Sequence, residues 1–166
     1  MDRAMKAAEQ WRGERPDIET GPMVVLGRLL EAAHRIAQER LNPLFAEYGL
    51  QPGEFDVLAT LRRSGAPYEL TPTALYDAAM ISSGSMTNRI DRLEKAGLVK
   101  RRPHPTDRRG TLVALAPKGL DVIERAIGPH VRNQQMILSV LTKSEQEQLS
   151  NLLAKLITAE RNPSSR

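Results

Sequence analysis

The chain has 166 residues, 40% apolar and 27% charged, which suits one soluble domain built on a single core. It has no cysteine, so disulfides and thiolate metal sites are excluded, and His34, His104 and His130 are scattered without ligand spacing. A net charge of +4 favours an anionic partner, nucleic acid first, and no apolar run is long enough to suggest a membrane span.

The opening MDRAMKAAEQWRGERPD carries charge where a signal peptide needs an apolar stretch, so a cytoplasmic protein is expected. Ala4, Ala7, Ala8 and Trp11 fall close to helical spacing, and Gly13 to Pro22 breaks the pattern. Residues 1–20 therefore read as a helical extension to a main domain over 21–166. Trp11 is the only tryptophan, and by itself it reads as packing that extension onto the body.

From Met23 to Tyr48, Leu26, Leu29, Leu30, Ala33, Ile36, Ala37, Leu41, Leu44 and Phe45 keep a helical period, with a kink expected near Asn42 because of Pro43. Pro52 opens a further helix in which Phe55, Leu58 and Leu61 face the core. Asp56, Thr60 and Arg63 fall on another side, so periodicity leaves Asp56 in solvent. Thr71 and Pro72 then supply an N-cap and a first helical position, and Met80 to Ser83 makes a short turn.

In the helix that follows, Met86, Ile90 and Leu93 make one apolar stripe, and Gly97 stops it. Gly84, Asn88, Asp91 and Lys95 lie opposite, with Ser85 and Arg92 beside them, a set of short polar groups and an arginine suited to base edges in a DNA groove. The period then changes to roughly two. Leu98 to Arg102 and Thr111 to Leu115 flank a turn-rich segment stiffened by Pro103 and Pro105, and five of the ten residues from Lys100 to Arg109 are Lys or Arg. A polar helix face or a basic loop alone is most often solvated surface. Adjacent to each other, and after the helix opened by Thr71, they predict a helix-turn-helix with a cationic wing over about residues 50–118.

Beyond the wing, Pro117 to Ile127 starts a helix that Gly128 and Pro129 are expected to interrupt before apolar spacing resumes through Val131, Met136 and Val140. Thr142 to Glu145 is a capping box for a last helix with Leu149, Leu152, Leu153, Leu156 and Ile157 on one face. The helices over about 22–48 and 118–160 offer more apolar face than one subunit needs, and a second copy could cover it. The expected fold is mainly α with a small β-hairpin wing: a winged helix-turn-helix with terminal dimerisation helices.

RIDRLEKAGLVKRR followed by DRRGTLVALAPKG resembles the multiple-antibiotic-resistance regulator (MarR) family of bacterial winged-helix repressors, over about residues 22–160. Asp107 and Arg109 match that family's D-x-R wing signature, and Gly119 its following glycine. The resemblance implies a homodimer whose intertwined terminal helices set two recognition helices one DNA turn apart on a palindromic operator. Its DNA contacts would be Ser83, Ser85, Thr87, Asn88, Arg89, Arg92, Arg108 and Arg109, with Asp107 orienting the wing.

The chain also resembles the family's urate-responsive branch, which has an added N-terminal helix with a tryptophan. Trp11 matches that tryptophan, Asp56 an acidic residue of the branch, Arg89 its recognition-helix arginine and Arg101 an arginine just after that helix. The resemblance implies a small anionic effector, urate or a close relative, held by stacking on the indole, an arginine fork and the carboxylate. A phenolic or lipophilic effector is the alternative, and a structural salt bridge between Asp56 and Arg89 is an equally open reading of that pair. No cofactor is expected. An enzyme fits poorly, because no nucleophile and base pair, metal cluster or phosphate loop is visible. A winged helix used only for protein contacts would leave the basic wing without a sequence-selective role.

Overall fold

The computed structural model of the protein describes residues 1–79, 86–107 and 110–161. In chain order it holds α1 (Arg3–Glu14), α2 (Gly21–Ile36), a π-helical turn (Ala37–Leu41), α3 (Asn42–Ala46) and α4 (Glu54–Arg63). Then come β1 (Glu69–Leu70), α5 (Pro72–Ala78), α6 (Met86–Lys95), β2 (Val99–Pro103), β3 (Thr111–Leu115), α7 (Pro117–Leu138) and α8 (Lys143–Arg161). Contacts divide the chain into two compact units, Met1–Gly128 and Pro129–Arg166.

The core of the first unit gathers around α4. Leu58 and Leu61 of α4, Leu75 of α5, Leu93 of α6, Val99 and Val113 of the sheet and Ile123 of α7 all lie in it, essentially closed to solvent. Phe45 and Phe55 stack within it, ring centroids 4.4 Å apart. Thr71 caps α5 as expected, its Oγ1 accepting the Ala74 N–H at 3.1 Å. Gly97, at φ +73°, ends the helix that precedes the wing.

Several local expectations change. The hairpin is part of a three-stranded antiparallel sheet in the order β1-β3-β2, because Glu69 pairs with Ala114 and Leu70 with Val113. A two-residue strand leaves no periodicity to detect. The irregularity expected near Asn42 on account of Pro43 takes the form of a π turn just before it, where the Asn42 N–H reaches back five residues to the Ala37 carbonyl. A proline has no N–H to offer the carbonyl four residues before it, and one π turn re-registers the ladder around that gap. Gly128 and Pro129 do not interrupt α7, which runs through both: a proline removes one hydrogen bond but holds a φ that a helix accepts.

On α4, Thr60 is buried instead of facing solvent, and the Asp56 side chain is only 18% exposed. The single-face reading fails there because α4 is packed by α5, α6 and β3 on different sides. In the extension, Ala4 and Ala8 are the buried residues of α1, and Ala4 lies against Gly27 of α2. Asp2 accepts the Met5 N–H at 3.0 Å and pairs with Arg28 of α2 at 2.7 Å, while Arg12 donates to Thr20 at 3.1 Å. Trp11 is 50% exposed.

In the second unit, the Glu145 N–H donates to Thr142 Oγ1 at 3.3 Å, and Glu145 Oε2 accepts the Thr142 N–H at 2.7 Å. That is the capping box read from the sequence, satisfying two N–H groups at the start of α8 reciprocally.

Candidate DNA-binding and effector site

Met86, Ile90 and Leu93 bury one face of α6, which leaves Thr87, Asn88, Asp91, Arg92 and Lys95 exposed on the others. This is the amphipathic arrangement that lets a helix keep its own seat while presenting polar groups to a groove. Lys118 donates from Nζ to the Ala96 carbonyl at 3.1 Å, a cation beside the carbonyl end of α6 where the helix dipole favours positive charge.

The acidic residues on this face are neutralised within the protein. Arg101, on β2, pairs with Asp91 and with Glu94, and its backbone N–H donates to Glu94 Oε1 at 2.9 Å. The Arg101 N–H and then its guanidinium hold the Glu94 carboxyl below the usual glutamate range. Asp91 chiefly, with Glu94, raises the Arg101 guanidinium above its ordinary value. Arg102 of the same strand reaches Glu69 of β1 at 2.6 Å, so both arginines of the KRR run brace the wing.

At the wing tip the His104 N–H donates to the Gly110 carbonyl and the Gly110 N–H to the Asp107 carbonyl, each at 2.9 Å. His104 Nδ1 accepts the Thr106 and Asp107 N–H groups at 3.4 and 3.3 Å. His104, Thr106, Asp107 and Gly110 are thus joined by short-range bonds. Ser83, Ser85, Arg108 and Arg109 lie outside the described residues, and so does any pairing of Asp107 with Arg109.

Arg89 and Arg92 point to the protein. Arg89 runs beside Gly53, whose φ of +82° and missing side chain make the approach possible: a Cβ there would lie 2.5 Å from Arg89 Nε. Its Nη1 is buried and meets no hydrogen-bond partner among the described residues. Arg92 Nε donates to Glu54 Oε1 at 2.8 Å. Arg92 was expected on the DNA face; its side chain is 43% exposed and tied to a carboxylate.

Of the four proposed ligand residues, Arg89 packs against Gly53, the residue before α4, and Asp56 lies in the first turn of α4. Asp56 also has Arg63 at 3.9 Å. Arg101 is engaged with Asp91 and Glu94. Trp11 borders a shallow depression lined with Ala7, Gln10 and Glu14 of its own helix. Sequence reasoning missed Glu54. Its only trace is an acidic residue in the first turn of a helix, which most often signals capping alone.

Among the described residues no group of His, Cys, Asp and Glu could hold a metal ion, and no helix is long and apolar enough to cross a membrane.

The sequence pattern of the MarR family matches residues 48–110, the stretch from the start of α4's turn to the wing tip. The chain is 41% identical over 148 residues to the HTH-type transcriptional regulator PecS of Dickeya dadantii, covering 89% of each protein. It is 31% identical over 139 residues to the multiple antibiotic resistance protein MarR of Salmonella typhimurium, covering 81% of this chain and 92% of that one. Among solved structures, a mutant MarR from E. coli complexed with operator DNA superposes with a TM-score of 0.70 at 27% identity, covering 88% of this chain and 96% of that one. These relatives are regulators and not enzymes. With a recognition helix seated by its apolar stripe, a braced basic wing and relatives matched along most of its length, the chain belongs to the MarR family of DNA-binding transcriptional regulators.

Proposed function

We propose that the protein is a homodimeric repressor of a palindromic operator, released by a urate-like planar anion that binds beside Arg89. In this reading α6 enters the major groove, with Thr87 and Asn88 at base edges and Ser83 and Ser85 near its start. Arg109 enters the adjacent minor groove, held in place by Asp107, and Arg108 is a further DNA contact of the wing. Loss of Arg109 costs roughly 1–3 kcal/mol per half-site.

The observation that supports the effector reading is the buried Arg89 Nη1 without a partner among the described residues. A buried guanidinium nitrogen left unsatisfied is costly, and an anion supplying the acceptor would recover that cost. Asp56 accepts from ring N–H groups, and Trp11 offers an indole face for stacking. Arg101 contributes indirectly as well: it holds Asp91 and Glu94 of α6, so an anion competing for it loosens the helix from the wing. Release then follows from differential affinity for two states, and by linkage operator DNA lowers affinity for the effector.

With one tryptophan in the chain, its emission reports on the site directly. Titrating urate into the protein bound to a duplex selected from random sequence should quench that emission in step with DNA release. Trp11→Phe should weaken the response to urate while leaving DNA affinity nearly unchanged. Millimolar urate that neither alters the emission nor shifts the complex would point instead to a phenolic or lipophilic effector.

A further inference from the structure

We infer that Glu54 is the positioning residue of the recognition helix, and that the turn Gln51 to Glu54 sets where α6 lies by gripping Arg92. Glu54 is 5% exposed, and a buried carboxylate is costly unless its oxygens are satisfied. Both are: Oε2 accepts the Gln51 N–H and Oε1 the Arg92 Nε–H, each at 2.8 Å. One oxygen thus belongs to the turn that opens α4, the other to α6, 38 residues later.

The grip has a second point of contact. Arg89 and Arg92 are three residues apart on a helix and share a side of it. Arg89 packs on Gly53 and Arg92 bonds to Glu54, so neighbouring residues of one turn receive two arginines of one helical face. A helix held by an apolar stripe alone can slide or roll over a greasy seat at little cost; a charge-assisted bond to a buried, doubly bonded carboxylate defines one register. Arg92 on this view acts through the protein and does not itself touch a phosphate.

Glu54→Gln and Arg92→Ala, singly and together in the full chain, test this. Affinity is measured for a duplex that the wild-type protein selects from random sequence and for a scrambled duplex of equal length. The ratio of the two affinities at one salt concentration is independent of the folded fraction, so mere destabilisation leaves it unchanged. Each single variant should lower the ratio roughly tenfold, the double variant little more than either, as for two residues of one pair. Arg92→Ala should also keep the wild-type slope of log affinity against log salt. An unchanged ratio overturns the proposal, as does additivity in the double variant. A slope smaller by about two per dimer for Arg92→Ala would equally overturn it, marking a direct phosphate contact. Should Glu54→Gln fail to fold, Arg92→Ala, which removes a half-exposed side chain, still decides between the outcomes.

Discussion

Arg101 and Glu94 show how one pair of side chains can join two functional elements. Glu94 lies in the last turn of α6 and Arg101 in the middle of β2, and the Arg101 N–H and guanidinium both hold the carboxylate. Because the folded carboxyl titrates below its ordinary value near 4.5, its contribution is fully present above that value and is lost as pH falls through the lower folded value. Glu94→Gln should therefore cost about 1 kcal/mol at neutral pH, small because solvent screens the pair, and should flatten the acid limb of the stability curve. Denaturant unfolding of both proteins at stepped pH below 5 checks it; parallel acid limbs would mean the pair contributes no linkage.

At the scale of elements, some helices here begin where a side chain satisfies a first N–H group, whereas α2, α3 and α4 begin without one. Thr71 and Thr142 open α5 and α8, and Gly97 closes α6. The α8 box should be separable from any contact made farther along that helix. Thr142→Ala removes an acceptor for the Glu145 N–H and should cost about 1 kcal/mol, lowering the thermal midpoint by roughly 2–4 °C in a chain of this size. Far-UV circular dichroism through the melt measures it. An unchanged midpoint would show that α8 starts independently of its cap.

For the whole molecule, the exposed apolar surface is the fact to account for. No residue of α2 is buried, although Val25, Leu26 and Leu30 are all more than half exposed. Leu152 and Ile157 of α8 are exposed to the same degree, and none of that helix's described side chains is buried. Such faces are characteristic of obligate interfaces, which bury more than about 2,000 Å². The protein should run as a dimer in light scattering at micromolar concentration, and charging the α8 face with Leu152→Glu and Ile157→Glu together should yield monomer or unfolded chain. A folded wild-type monomer at that concentration would remove the terminal-helix interface, and with it the spacing of two recognition helices.

Much of this was legible without coordinates because it depends on period and on caps. The stripe Met86, Ile90 and Leu93 is local chemistry, and so are the basic hairpin after Gly97 and the Thr142 box. The family resemblance likewise rested on residues that follow one another in the wing, and the comparisons support it. Only the tertiary structure decided where the charged side chains go. Arg92 and Arg89 turn to the Gln51 to Glu54 turn, Arg101 to Asp91 and Glu94, and Arg102 to Glu69, partners that lie 7 to 38 residues away. Long flexible side chains carry no period of their own, and a carboxylate such as Glu54 is buried only because a partner distant in the chain arrives to neutralise it. Helical periodicity likewise could not show that α4 is packed on several sides, since burial on a second face depends on which elements the chain folds against it.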